Sequence, residues 1–234
     1  METVILMKRN LILINVDATI FDVVDPIHDA YAFLAAESSI PLPASFLKRI
    51  VDARGTSREK LDREFPALAN LHYEAKHLYL TQIKRKIEEQ RILKPDARDF
   101  LLSLTERRYE YGFVSSMPRD LLDTLVSMHT FMHPVVSVVQ SEVNEGKPEP
   151  DLYLKACRMA DLHPNQVLVI ENSILGVTSA FLANARVVYL ESVFPRNEEE
   201  YAYSFQEFAS LKEIDAFLDH GTKAENPFLL RFET

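Results

Sequence analysis

Four short segments concentrate the side chains whose chemistry exceeds packing. They are Asn15-Val16-Asp17-Ala18-Thr19, Ser115-Ser116, the stretch Gly146-Lys147-Pro148-Glu149-Pro150-Asp151, and Glu171-Asn172-Ser173. Together they hold several hydroxyls, the ammonium of Lys147, the carboxylates of Asp17 and Glu171, and the amides of Asn15 and Asn172. A lysine among hydroxyls and backbone N–H groups suits a phosphate, and nearby carboxylates suit Mg²⁺. Taken singly, each has a bland alternative: Asp17 or the serine pair as a cap, Lys147 as a solvated charge. The case rests on all four meeting in space.

The elements around them make that meeting an expectation. An apolar run over 10–16 reads as a buried parallel strand that ends in polar groups. Helical spacing follows over 26–37, 45–53, 57–65 and 70–90, with no convincing strand between about 25 and 92. Strands at 110–115, 135–139, 166–170 and 185–190 then alternate with helices at 96–106, 118–128, 150–160 and 175–182. That alternation predicts an α/β fold, a Rossmann-like parallel sheet with helices on both faces. The all-helical block reads as an insert. The expected division is a core of 1–24 and 94–234 with a helical cap of 25–93. Each chemical segment falls at, or just beyond, the carboxyl end of a strand, where open α/β sheets place their sites.

Composition narrows the functions. The chain has 234 residues and a net charge of −9, so non-specific nucleic-acid binding is not expected. Only five glycines occur, about 2% against a usual ~7%, which argues against glycine-rich nucleotide loops. No apolar stretch has the length of a signal peptide core or a membrane span. The lone Cys157 lies in a helical pattern and reads as a buried structural thiol, with a cytoplasmic, reducing location. The residues His72, His77, His129, His133 and His163 show no metal-ligand spacing.

The segments SEVNEGKPEPDLYLKA and VLVIENSILGVTSAFLANA, together with LKPDARDFLLSL and ARGTSRE, resemble the haloacid dehalogenase (HAD) superfamily. The resemblance covers nearly the whole chain. It is nearest to the branch with a small helical cap that includes β-phosphoglucomutase and phosphoglycolate-phosphatase-like enzymes. It implies a nucleophile position at Asn15 and a general acid/base at Asp17. It implies phosphate binding by Ser115, Ser116 and Lys147, and metal-ligand positions at Asn15, Asp17, Glu171 and Asn172. His28, Arg54 and Arg58 resemble cap residues that approach substrate, His28 with a one-residue shift.

Three departures coincide. Asn15 stands where the family has its nucleophilic aspartate, Asn172 where it has a metal-ligating aspartate, and Ala18 where it has a glycine. A neutral amide is a poor nucleophile at phosphorus. Losing two carboxylates also weakens attraction for Mg²⁺, so any magnesium binding is expected to be weak. The leading expectation is a catalytically impaired HAD-like protein that binds a phosphorylated metabolite or a partner of unknown kind. The alternatives are an active Mg²⁺-dependent phosphate monoester hydrolase or phosphomutase using Asp17 and Lys147, and an interaction scaffold. No nucleic-acid or membrane partner is expected.

Overall fold

The computed structural model describes residues 11–52, 58–191, 204 and 206–221. In chain order, Leu11–Asn15 (β1) is followed by the helices Val24–Glu37 (α1), Ala44–Asp52 (α2), Arg58–Glu64 (α3) and His72–Glu88 (α4). Ala97–Glu106 (α5), Glu110–Ser115 (β2), Arg119–Ser127 (α6), Val136–Val139 (β3) and Asp151–Met159 (α7) come next. Val167–Glu171 (β4), Ile174–Leu182 (α8), Arg186–Leu190 (β5), Gln206–Phe208 (β6) and Leu211–Gly221 (α9) complete the described chain.

The strands form one wholly parallel sheet in the order β3-β2-β1-β4-β5-β6. All five residues of β1 are buried, which is why its first four form a continuous apolar run before the polar Asn15. Its side chains alternate between two cores. Ile12 and Ile14 pack with residues of α5, α6 and α9, such as Phe100, Leu122 and Ile214. Leu11 and Leu13 pack with α7 and α8 through Leu152, Ala156 and Val177. The sheet is therefore covered on both faces, as the alternating pattern predicts.

Between β1 and α5 the regular elements among the described residues are all helices, including a 3₁₀ helix over Pro66–Leu71 that falls mostly between the expected helices of 57–65 and 70–90. These helices have a core of their own, built on Ala30, Tyr31, Phe46, Leu68, Leu71 and Ala75. The two chains joining this cap to the sheet pair with each other. Asp22 N–H donates to Ile92 O (2.7 Å) and Lys94 N–H donates to Ile20 O (2.9 Å). The Lys86 ammonium from α4 also donates to the Asp22 carboxylate.

The scarcity of glycine shows at the helix ends. Helices commonly close with a left-handed residue, usually glycine. Here Ser39, Gln90, Arg108, Asp161 and Asn184 take that conformation just past α1, α4, α5, α7 and α8 (φ 55°, 54°, 61°, 55° and 64°). Elements β6 and α9 lie beyond those expected from sequence. A three-residue strand is too short to show alternation. The expected tail from residue 223 lies outside the described residues. No described helix is long and apolar enough to cross a membrane.

Cys157 is 1% exposed in α7, and burial pushes its thiol from an ordinary value near 9 to about 11. The folded state thus holds the proton more tightly than the unfolded chain. Its contribution is intact below about pH 9 and is lost as pH rises towards 11. We expect negligible reaction with a disulfide reagent at neutral pH until denaturant is added. We also expect a lower denaturation midpoint near pH 10 than near pH 8 that Cys157→Ala diminishes.

Candidate active site at the strand ends

Strand register brings three of the four chemical segments to one level. Asn15 pairs with Val114 of β2, and Ile14 pairs with Ile170 of β4. Asn15, Ser115 and Glu171 therefore leave the sheet side by side. The fourth segment arrives on the loop between β3 and α7, which delivers Lys147 at 3% exposure.

Lys147 and Glu171 form a buried ion pair, with Nζ donating to Glu171 Oε1. Tyr153, one turn into α7, donates its hydroxyl to the same oxygen (2.8 Å). Burial first, then the Glu171 charge, pushes the Tyr153 phenol well above its ordinary value, so it stays a donor. Glu171 Oε2 accepts from Asn172 N–H (2.8 Å), Ser173 N–H (3.0 Å) and Ser173 Oγ (3.0 Å). Ser173 Oγ in turn caps α8 by accepting from Gly176 N–H (3.1 Å). A Cβ on Gly176 would lie 1.8 Å from Glu171 Oε1, so only glycine lets the helix approach this carboxylate.

The same lysine orients the amides. Lys147 Nζ can only donate, and it donates to Asn15 Oδ1 (3.0 Å). Asn15 Nδ2 must then face the other way. It donates to Asn172 Oδ1 (2.9 Å) and to the Asp17 backbone carbonyl (3.1 Å). Asn172 Nδ2 donates to that carbonyl as well (3.0 Å). Two amide N–H groups thus converge on the carbonyl oxygen, closing a ring of neutral hydrogen bonds.

This donor set does not fit Mg²⁺, which takes oxygen ligands and favours carboxylates. Asn15 would have to turn its oxygen away from Lys147, and Asn172 would have to reverse. Glu171, expected among the ligands, has both oxygens committed to Lys147, Tyr153 and the start of α8. Among the described residues no cluster of three or more His, Cys, Asp or Glu side chains is arranged for a metal.

The Asp17 carboxylate faces β2. It accepts from Ser115 Oγ (2.8 Å) and Ser116 N–H (2.7 Å), while Ser115 Oγ accepts from Met117 N–H (3.0 Å). Ser115 is fully buried, and its hydroxyl proton is committed to Asp17. The adjacent turn is tight: Thr19, Ile20 and Phe21 N–H groups all point at Val16 O. Ala18 sits in that turn at φ 61°, the left-handed region that favours glycine.

Above this loop, a cleft of about 210 Å³ separates cap from core. Ile27 and Tyr31 of α1, and His72, Ala75, Lys76 and Tyr79 of α4, form its cap wall. Ser116, Met117 and Pro118 form its core wall. His28 lies half-buried on α1 and is not among the lining residues. Arg58 opens α3, but its side chain and all of Arg54 lie outside the described residues.

Residues 11–184 match the haloacid dehalogenase-like hydrolase family. The chain belongs to this family. A phosphorylated carbohydrates phosphatase of Thermotoga maritima is 26% identical over 187 residues, 76% of this chain and 83% of that protein. A bifunctional riboflavin kinase/FMN phosphatase of Arabidopsis thaliana is 28% identical over 122 residues, 51% of this chain. The chain spans only 32% of that protein's length. The solved β-phosphoglucomutase of Clostridium difficile shares the fold with a TM-score of 0.70 at 19% identity, covering 96% of this chain and 100% of that one.

Within this member of the HAD-like family, sequence reasoning missed Tyr153 and the cap residues Tyr31, Asp62 and His72. Tyr153 lies inside the DLYLKA segment, but only the packing of α7 against the sheet makes it a partner of Glu171. The HAD-like site also generates two stability predictions. Ala18→Gly should relieve the left-handed backbone and stabilise the protein by about 1 kcal/mol in urea denaturation. Glu171→Gln should cost about 3–5 kcal/mol by leaving the buried ammonium without its counter-charge. Tyr153→Phe should cost only ~1–2 kcal/mol. Equal losses in the latter pair would argue against the ion pair as the anchor.

Proposed function

We propose that this chain binds a phosphorylated small molecule at its strand ends without turning it over by the metal-dependent covalent route of its family. The observation that carries this reading is the closed Asn15–Asn172–Asp17 ring held in place by Lys147. An amide at position 15 supplies no carboxylate to attack phosphorus. The ring also satisfies the oxygen atoms that a cation would need.

Binding is supported separately. Lys147 has three donors; Asn15 and Glu171 take two of them, and the ammonium also lies 5.6 Å from the centre of the Tyr153 ring, so its charge is what an anion at the strand ends would meet. The cleft opens on Ser116, whose N–H holds the Asp17 carboxylate. The relatives' names, an FMN phosphatase and a phosphatase of phosphorylated carbohydrates, point to phosphate monoesters as the ligand class.

One observation favours a second reading. Asp17 keeps a fixed carboxylate, held by Ser115 and Ser116, and a carboxylate in that position can activate a water for direct attack on a phosphate ester. The experiment that separates the two measures phosphate release from sugar phosphates, FMN and phosphoglycolate, with and without Mg²⁺. We expect no turnover by the native chain, and Mg²⁺-dependent turnover by the Asn15→Asp, Asn172→Asp double variant. Robust native turnover that Asn15→Ala abolishes would overturn the proposal. Native turnover that survives Asn15→Ala and is lost in Asp17→Asn would establish the water route.

A further inference from the structure

Among the described residues, five donors converge on the Glu171 carboxylate. Its Oε1 accepts from Lys147 Nζ and from the Tyr153 hydroxyl. Its Oε2 accepts from Asn172 N–H, Ser173 N–H and Ser173 Oγ. A carboxylate offers about four lone-pair sites, so this one is fully subscribed. Lys147 is the charged donor of the five. Tyr153 is the neutral donor that shares the lysine's own oxygen. Glu171 and Tyr153 are both fully buried, so water does not stand in for either.

Tyr153 also meets the ammonium directly. Lys147 Nζ lies over its ring, 5.6 Å from the centroid, within the ~6 Å range of a cation–π contact. The ring belongs to the buried cluster that includes Leu152, Ala156 and Val169, so its place is fixed by the packing of α7 on the sheet. One side chain thus touches the lysine's surroundings twice, through its ring face and through the shared oxygen. The sharing has a consequence for charge. Hydrogen bonds donated to a carboxylate stabilise its ionised form. Four neutral donors therefore keep Glu171 satisfied when the Lys147 charge turns partly to another anion. Without the Tyr153 hydroxyl, Oε1 would depend on Lys147 alone, and its unshared charge would oppose an anion at the same ammonium.

We infer that Tyr153 is a positioning residue of the anion site that acts through Glu171. It takes up part of the Glu171 charge and so leaves the Lys147 ammonium able to hold a phosphate. This rests on the reading of the strand ends as a phosphate-binding site. Tyr153 itself touches no ligand, because its hydroxyl faces Glu171 and its ring faces the lysine. A merely structural tyrosine would change the stability of the fold and leave the folded protein's affinity for an anion where it was.

The test titrates the full chain with inorganic phosphate in a calorimeter, without Mg²⁺. Tyr153→Phe keeps the ring and removes only the hydroxyl. It should weaken phosphate binding about five-fold, the worth of one hydrogen bond. Tyr111→Phe is the control. Tyr111 is another buried phenol, in the cluster on the opposite face of the sheet, and its hydroxyl accepts from His133 N–H (2.7 Å). Its variant should leave phosphate affinity unchanged. An NMR titration of the native chain needs no variant to fold: phosphate should shift the Tyr153 ring resonances and leave those of Tyr111 in place. Native affinity in Tyr153→Phe, an equal loss in Tyr111→Phe, or Tyr153 resonances that phosphate does not move would overturn the inference and leave the phosphate site standing. Failure of the native chain to bind phosphate would instead overturn the phosphate-site reading, and this inference with it.

Discussion

Lys147 can donate hydrogen bonds but not accept them, and it is buried between Glu171 and Asn15. Much of the site's geometry follows from that asymmetry. On one side the ammonium demands a carboxylate, and Glu171 must in turn be held by Tyr153 and the first turn of α8. On the other side it turns the Asn15 oxygen inward and sends the Asn15 nitrogen towards Asn172. A buried ion pair adds little net stability compared with an apolar pair of equal shape. Its consequence here is orientation: once Lys147 is placed, the direction of each amide is determined.

The two asparagines form a pair in the physical sense. An aspartate at either position would face the Asp17 carbonyl oxygen across the gap now bridged by an amide N–H, and two oxygens without a proton or cation between them repel. With asparagine at both, N–H groups fill the role of the cation, and the ring closes without net charge. The substitutions therefore support each other. That mutual support favours the proposal of a site that binds without the family's covalent route.

The cap carries a second polar arrangement that is independent of the first. Its core is aromatic, with Tyr31, Phe46 and Phe65 in edge-to-face contacts, and a hydrogen-bonded Tyr31–His72–Asp62 chain emerges from it at the cleft. Both border on the loop of Ser116, whose N–H steadies Asp17 and whose residue forms part of the cleft wall.

Sequence alone determined the parallel α/β core, because buried strands and amphipathic helices impose their periods on the chain. It also placed Asn15, Ser115 and Glu171 at strand ends, with Asp17 and Lys147 just beyond them, since where a strand stops is local information. The resemblance carried by the four motifs located the substitutions at 15, 18 and 172. Tertiary structure alone decided what those residues do to one another. Which way an amide points depends on Lys147, 132 positions away from Asn15. That Glu171 serves Lys147 and Tyr153, that Ala18 is held at a left-handed φ, and that Tyr31, Asp62 and His72 form a chain are all products of contact between separate elements. Periodicity records which face of a helix is buried, not which polar atom waits on the other side.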